Sequence, residues 1–401
     1  MQGTSPPCRG RRRPSVQRQP EAGPQMTETK AFKDYFGETL VAELSGSLSR
    51  VAPPFDAPAF RERAVNGLVE LEMLDRVRQI AQAMEDALPG TTAERMSWLT
   101  EALPPLRPDT DDTPEPISGG FKLWPFGEFI GRTGLDDFSA SFDAMIELTQ
   151  RFTSEFAIRP FLASDPVDAL GRLEALLDHR SHHVRRWISE GTRTRLPWAS
   201  KIACLSDHQD RRLALLAALR HDDSRYVQRS VANHLQDILK DDEPRGIRVV
   251  LGWASEGRES TDWIVRHASR NLLKAGHPKI MELFGYDPGQ VEVRSFSISP
   301  RTAAIGDSLS LRATIRNSSE TTAPVRVDLA MEVPTKTGRV SRKVFRWADR
   351  TLASGEEANL TKSYKVVHRT TRRVYPGTFS FAPILNGEQG PTASVEVEGP
   401  S

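Results

Sequence analysis

The sequence has little cysteine and no long apolar run, and these shortages exclude several classes of protein. Two cysteines, Cys8 and Cys204, occur in 401 residues, which excludes a fold held together by a framework of disulfides. No apolar run approaches the roughly 18 residues that a membrane span needs. The basic N-terminus also lacks the apolar segment of a secretion signal. We therefore expect a cytoplasmic protein with no membrane partner.

Motifs that bind nucleotides or metals are also absent from the sequence. It contains no Walker loop, no GxGxxG after a strand, no HExxH and no cluster of Cys and His. The stretch HRSHHV at residues 179–184 has no partner cysteines or carboxylates at the spacing of metal ligands. We therefore expect neither a metal nor a cofactor, and the chemistry is left to carboxylates, arginines and aromatic rings.

The length of the chain predicts two or three domains. Its 54 Lys and Arg face 53 Asp and Glu, so the net charge of +1 does not by itself indicate a polyanionic partner. Residues 1–25 carry five Arg against one Glu, are rich in Pro, Gly and Gln, and lack apolar periodicity. We predict a disordered N-terminal extension there, ahead of Met26, that is either a dispensable leader or an arm that binds nucleic acid.

Apolar periodicity predicts a helical domain over residues 26–288. Residues 27–48 place apolar side chains at the i, i+3, i+4 positions of a helix that docks on others. Residues 60–88 repeat them at every third position up to a Pro-Gly pair, and this predicts a single helix. A loop rich in Pro and Asp at residues 104–120 precedes the remaining helices.

The second half of this region repeats itself. The strings HHVRRWISEGT, RYVQRSVANHL and WIVRHASRNLL align with Val184, Val227 and Val265 in register, at intervals of 43 and 38 residues. Each follows another apolar helical segment. Pairs of helices at a period near 40 residues are typical of a HEAT-like solenoid, in which each pair buries its apolar face only by stacking on the next. We predict that the valine-bearing helices form the inner, concave layer.

Alignment of the three inner helices places polar residues in two columns. The columns are Arg186, Arg229 and His267, and Glu190, Asn233 and Asn271. A basic and polar stripe along a concave wall matches the regularly spaced charges of a phosphodiester backbone. The alternative is that each arginine is a structural bridge between neighbouring repeats.

The apolar period changes to two after residue 288. Seven short alternating segments, separated by turns rich in Gly, Asn and Ser, predict an immunoglobulin-like β-sandwich over residues 289–401, without the cysteine pair of antibody domains. Residues 290–401 hold 16 Lys and Arg against 11 Asp and Glu, a net charge of +5. The excess lies at hairpin edges and includes Arg372 and Arg373. These positions suit phosphate contact, although basic residues also protect exposed sheet edges.

Three strings carry a resemblance to a known family. They are TSEFAIRPFL at residues 153–162, HVRRWISEGTRTRLPWA at 183–199 and DSRYVQRSVANHLQDI at 223–238. Together with the sandwich that follows, they resemble the AlkC-type DNA alkylation repair glycosylases, relatives of the AlkD type within the HEAT-like repeat superfamily. The resemblance covers roughly residues 27–401. It implies a monomer of the bacterial cytosol, associated with the nucleoid, that removes cationic 3-methyladenine and 3-methylcytosine from double-stranded DNA without base flipping.

Such a reaction needs little acid catalysis, because a cationic base is already a good leaving group. A carboxylate beside the sugar would stabilise its developing positive charge and orient the attacking water. Glu155 is the first candidate and Glu128 the second. Trp198 and Trp187 are candidates for cation–π contact with the base or sugar.

Basic and amide side chains in the same strings would hold the phosphates of a bent duplex. These candidates are Arg159, Arg186, Arg193, Arg195, Arg229 and Asn233, together with Arg372 and Arg373 of the sandwich. Several of the residues also have a structural interpretation. Glu155 and Arg159 are spaced as an i, i+4 helix pair, and a tryptophan after proline usually packs.

Two other functions fit the same architecture. The helical repeats could form a scaffold that binds an acidic peptide, or the protein could bind DNA without catalysis. Release of 3-methyladenine from alkylated DNA separates a glycosylase from both alternatives.

Overall fold

The computed structural model of the chain describes residues 31–106, 120–368 and 373–399, and it consists of a helical part followed by a β-sandwich. The helices of the first half are α1 Glu38–Val51, α2 Ala57–Val65, α3 Met73–Ala87, α4 Thr92–Ala102, α5 Trp124–Thr133, α6 Phe138–Thr149 and α7 Arg159–Ser164. Those of the second half are α8 Pro166–Glu174, α9 His182–Gly191, α10 Gln209–Leu219, α11 Arg225–Asp241, α12 Glu243–Ala254, α13 Glu259–Ala268, α14 Arg270–Ala275 and α15 Pro278–Leu283. Their apolar side chains form one continuous core from Phe36 to Tyr286.

Two of the predicted helices are interrupted. The single helix expected over residues 60–88 is wrong, because Gly67 adopts a left-handed backbone (φ 67°) that ends α2 and leads into α3. The third aligned string, WIVRHASRNLL from Trp263, predicts one continuous helix. It is instead interrupted at Ser269, between α13 and α14. Asn271 therefore lies exposed on α14, outside the column in which the alignment placed it.

The repeat architecture is confirmed in the second half of the helical part. α11 packs between α9 and α13 in the inner layer, the outer helices α10 and α12 pack on them, and α8 packs on α10. Val184, Val227 and Val265 are all buried in the core between the layers. Ion pairs also join neighbouring repeats: Arg211 with Glu174, Arg245 with Asp210, Arg185 with Asp222, and Arg220 with Glu256.

The C-terminal part is an immunoglobulin-like sandwich, as predicted. Its strands are β1 Val291–Ser299, β2 Thr302–Ala304, β3 Ser308–Asn317, β4 Ala323–Pro334, β5 Val340–Leu352, β6 Glu357–Lys365, β7 Gly377–Leu385, β8 Glu388–Gln389 and β9 Ala393–Glu398. One sheet has the order β1-β3-β6 and the other the order β2-β9-β7-β4-β5, with β8 paired to β7. All seven predicted strands are present. β2 and β8 were missed because three and two residues are too short for an alternating pattern.

The sandwich contacts the end of the helical part through two glycines. Gly276 ends α14 with φ 71° and lies against Gly387 of the β7–β8 turn, which has φ 91°. The amide of Asn386 donates a hydrogen bond to the carbonyl oxygen of Asp287 at 2.9 Å, beside a cleft of about 650 Å³. In the described ranges, no helix has both the length and the apolar character required to cross a membrane.

Candidate functional site

A cluster of charged side chains lies where the inner layer meets the segment before α7. Glu155 lies in the turns that precede α7 and pairs with Arg186 of α9, since helix α7 begins only at Arg159. The i, i+4 pairing of Glu155 with Arg159 therefore does not form. Thr153 donates a hydrogen bond from its hydroxyl to Glu155 Oε2 at 2.9 Å and accepts one from Arg186 at 3.0 Å. These contacts fix the carboxylate from two sides.

The environment of Glu155 favours its neutral form more than water does. Its side chain retains 12 % exposure. Burial raises the pKa of the Glu155 carboxyl above the ordinary value, Arg186 lowers it, and the negative charge of Glu190 raises it again. The net effect is a raised pKa, which makes the ionised form a stronger base than an exposed glutamate.

Glu190 is a second buried carboxylate in this cluster and was not among the predicted catalytic residues. It lies 3.7 Å from Arg186 Nη2 and 2.5 Å from Arg193 Nη1, and Ser230 donates a hydrogen bond to it at 2.6 Å. Burial raises the pKa of Glu190, but Arg186 and Arg193 outweigh burial, so this pKa lies below the ordinary value. The two carboxylates that share Arg186 therefore differ in proton affinity. The sequence signal for Glu190 was its i+4 spacing from Arg186.

An aromatic stack begins at Phe156, the residue that follows Glu155 in the chain. Phe156 stacks on Trp124 with ring centroids 4.7 Å apart, and Trp124 stacks on Trp198 at 5.9 Å. Trp124 is buried, whereas Trp198 is 62 % exposed. Trp198 also has φ 62°, a left-handed backbone that is strained for a bulky residue. A strained backbone that holds a large ring in solvent is a feature found at functional sites.

The other predicted tryptophan and two of the predicted arginines are buried. Trp187 is fully buried in the core against Phe142, so the structure places it out of reach of a base or sugar. Arg159 donates hydrogen bonds to the carbonyl oxygens of Arg193 and Ser200, and burial lowers the pKa of Arg159 to about 10. Arg193 pairs with Glu190 and Asp237. These donors are used inside the protein, and contact of Arg159 and Arg193 with phosphate stays a prediction.

The remaining candidates of the helical part lie on α11 or in the loop after α9. Arg229 is exposed on α11 and forms no ion pair with any residue of the described ranges. Arg195 is half exposed and pairs with Asp241 at 2.7 Å. Asn233 accepts hydrogen bonds from Arg270 at 3.3 Å and from His267 at 3.2 Å. Burial lowers the pKa of His267 to about 4, so this side chain is neutral at pH 7.

The last candidates lie apart from the cluster. Glu128 is half-buried on α5 and has no hydrogen bond to Glu155 or Arg186. Arg373 is exposed at the start of the segment that leads into β7. Arg372 lies outside the described residues. Among the described residues, no group of three or more His, Cys, Asp and Glu could hold a metal ion.

The site contains a carboxylate with a raised pKa and a shared guanidinium, and the stacked rings of Phe156 and Trp124 connect it to an exposed indole. These groups can stabilise a cationic transition state, accept a proton from water and contact a flat cation. Arg229 on α11 adds an exposed guanidinium that has no ion pair among the described residues.

Comparisons with known proteins are consistent with this arrangement. Residues 292–399 match the model of the C-terminal Ig-like domain of the uncharacterised protein YhaZ. The chain is 30% identical over 359 residues to the uncharacterized protein YhaZ of Bacillus subtilis (strain 168), which covers 89% of this chain and 96% of that protein.

A solved structure shows the same architecture. It is that of the Pseudomonas fluorescens alkylpurine DNA glycosylase AlkC bound to DNA containing an abasic site analog. The two chains are 29% identical and superimpose with a TM-score of 0.84, over 92% of this chain and 100% of the other. The chain therefore belongs to the AlkC-type family, to which YhaZ also belongs.

Proposed function

We propose that this protein is a DNA glycosylase that hydrolyses the N-glycosidic bond of cationic alkylated bases, chiefly 3-methyladenine and 3-methylcytosine. The observation that carries the proposal is the ion pair of the mostly buried Glu155 with Arg186, next in the chain to Phe156, whose ring connects through Trp124 to the exposed ring of Trp198. The similarity to a DNA-bound alkylpurine glycosylase supports the same reaction class. The protein would act as a monomer on double-stranded DNA.

The reaction divides into bond cleavage and attack by water. The bond between C1′ and the base nitrogen breaks, and its electron pair moves to the base, which leaves as a neutral molecule. A water oxygen then bonds to C1′, while its proton passes to the Glu155 carboxylate and from there to solvent. Glu155 would also stabilise the positive charge that develops on the sugar before water attacks.

The contacts of Glu155 suit both roles. Its raised pKa makes it a better proton acceptor, while the positive charge of Arg186 favours its ionised form. The hydrogen bond from Thr153 orients the carboxylate without neutralising it. Glu128 lacks these contacts, so we assign it no direct part in the proposed reaction.

Trp198 would recognise the positive charge of the alkylated base or of the sugar. An indole face attracts a cation by about 1 to 2 kcal/mol when water is excluded. The resemblance to AlkC-type enzymes implies excision without base flipping, and the exposed position of Trp198 suits contact with a base that stays in the duplex. Trp124 and Phe156 support the ring from behind.

The phosphate contacts are assigned by exposure. Arg229 and Arg195 of the helical repeats, and Arg373 of the sandwich, have guanidinium groups at the surface. Arg186 and Asn233 are already bonded within the protein, so we propose that they position neighbouring groups. Phosphate contacts of this kind fix the register of the duplex without reading its sequence.

A single assay tests the proposed function. Purified protein is incubated with duplex DNA that has been treated with a methylating agent, and the released bases are separated and identified. Release of 3-methyladenine or 3-methylcytosine is expected. Salt-dependent duplex binding without base release would instead indicate a DNA-binding protein that lacks catalysis. Absence of both activities would favour a scaffold that binds acidic peptides.

A further inference from the structure

Tyr226 lies on the second residue of α11 and contacts the guanidinium that Glu155 and Glu190 share. The ring centroid of Tyr226 is 5.2 Å from the guanidinium carbon of Arg186. The rings of His182 and His183 also approach Tyr226 edge to face, at 6.2 and 5.8 Å. The ring therefore contacts the N-terminal turn of α9 as well as the arginine one turn further along the same helix.

We propose that Tyr226 is a positioning residue of the glycosylase reaction, whose ring holds the Arg186 guanidinium against Glu155. The proposal rests on the proposed function for its catalytic consequence. Arg186 can reach two carboxylates: it forms an ion pair with Glu155 and lies 3.7 Å from Glu190. A guanidinium stacked on an aromatic face is restricted in orientation, so the ring decides which carboxylate receives the stronger pairing.

The charged groups around Glu155 determine what loss of the ring would do. Arg186 and Glu190 of α9 face Glu155, and the charge of Arg159 of α7 also interacts with it. The Thr153 hydroxyl is its hydrogen-bond donor. Without the ring, Arg186 is held on this side only by Thr153 and Glu155, and a shift toward Glu190 would leave Glu155 buried with a weaker pairing to its cation. Because Arg186 lowers the pKa of Glu155, that pKa rises.

The Tyr226 hydroxyl is not required by this argument. Burial raises the pKa of Tyr226, so the phenol is neutral at the pH of the assay and supplies no charge to Arg186. The aromatic face is therefore the feature under test. Tyr226→Phe keeps that face and removes the hydroxyl, whereas Tyr226→Leu and Tyr226→Met fill most of the volume without an aromatic face.

The experiment measures single-turnover base release from methylated duplex DNA, with enzyme in excess, as a function of pH. In Tyr226→Leu and Tyr226→Met, the acidic limb of the profile should move upward by about one pH unit, which is tenfold in rate on that limb. In Tyr226→Phe the acidic limb of the profile should coincide with that of the wild-type protein. Thermal unfolding of each variant confirms that it is folded, and a general loss of structure would lower the rate without moving the limb.

Two results would overturn the proposal. The first is an acidic limb of the pH profile that does not move in folded Tyr226→Leu and Tyr226→Met. The second is an acidic limb that moves equally far in Tyr226→Phe, which would assign the effect to the hydroxyl. Carboxyl-carbon NMR titration of Glu155, assigned by comparison with Glu155→Gln, gives the same readout without turnover. Wild-type protein that releases no base would contradict the proposed function, while the NMR titration would still test the contact between Tyr226 and Arg186.

Discussion

The Arg186 guanidinium forms an ion pair with the Glu155 carboxylate, and this contact joins helix α9 to the turns before α7. Both charges are largely shielded from bulk water, since their side chains are only 14 % and 12 % exposed. An arginine on an inner repeat helix thus pairs with a carboxylate of the same protein. In the proposed mechanism, Glu155 carries the chemistry and Arg186 positions it, while other residues, such as Arg229, bind DNA.

Replacement of this acid tests the central assignment. Glu155→Gln should lower the rate of base release by at least tenfold, because the amide can neither accept a proton nor stabilise a cationic sugar. Its affinity for duplex DNA should change little, since Glu155 contacts no phosphate in the proposed mechanism. Glu128→Gln is the matched control, as it removes a charge from α5 without touching Arg186. A fully active Glu155→Gln variant would remove Glu155 from the mechanism.

The second acid should affect the pH dependence of the reaction. Glu155 must be ionised to act, and its pKa is raised, so the rate should fall on acidification at a higher pH than for an ordinary glutamate. The negative charge of Glu190 contributes to that raised pKa. Glu190→Gln should therefore move the acidic limb to lower pH, provided that the variant folds. The check is a single-turnover pH profile beside that of wild type, and an upward movement would contradict the electrostatic account.

Much of the fold could be predicted from the sequence, because apolar periods of 3.6 and 2 report which faces are buried. The register of Val184, Val227 and Val265 located the inner layer for the same reason. The predicted helix over residues 60–88 failed because a glycine can either continue a helix or end it in a left-handed conformation. Gly67 adopts the left-handed conformation, which allows α2 to pack on α3.

The candidate site was harder to predict, since it depends on contacts between distant segments. The sequence singled out Glu155 and Trp198, but gave no sign that Arg186 pairs with Glu155 or that Trp198 stacks on Trp124. Burial was the main source of error. A tryptophan or arginine within a repeat helix lies in the same local sequence pattern whether its side chain faces solvent or the core. Trp187, which is fully buried, is an example.

The two tryptophans should respond differently to substitution. Trp198→Ala should slow base release by about tenfold with little change in stability, since the ring is exposed and its proposed cation–π contact is worth about 1 to 2 kcal/mol. Trp187→Ala should destabilise the fold by about 3 to 5 kcal/mol through the cavity it creates. Urea unfolding and single-turnover assays on both variants provide the comparison. Normal base release by Trp198→Ala would show that the exposed ring is not used.

Arg229 should contribute to DNA binding through its charge. Arg229→Ala is expected to weaken binding to any duplex sequence and to reduce the slope of log affinity against log salt by about one. Arg248→Ala is the matched control, because Arg248 is equally an exposed arginine but lies on α12 of the outer layer. Fluorescence anisotropy over a salt series measures both slopes. Equal effects of the two substitutions would mean that the inner layer is not the surface that binds DNA.

The contact between the helical part and the sandwich can be tested with a pair of glycines. Gly276 and Gly257 both have left-handed backbones, with φ 71° and 60°, so alanine at either position carries a similar conformational cost of about 1 to 2 kcal/mol. They differ in their surroundings. A Cβ on Gly276 would lie 3.1 Å from the Cα and carbonyl oxygen of Gly387, whereas a Cβ on Gly257 would have no neighbour within 4 Å. Gly276→Ala must therefore displace the β7–β8 turn and should destabilise the protein more than Gly257→Ala does. Urea unfolding measures the difference.

DNA affinity should also fall more in Gly276→Ala if the sandwich helps to hold the duplex, and an equal loss in both variants would place the sandwich outside the DNA-binding surface.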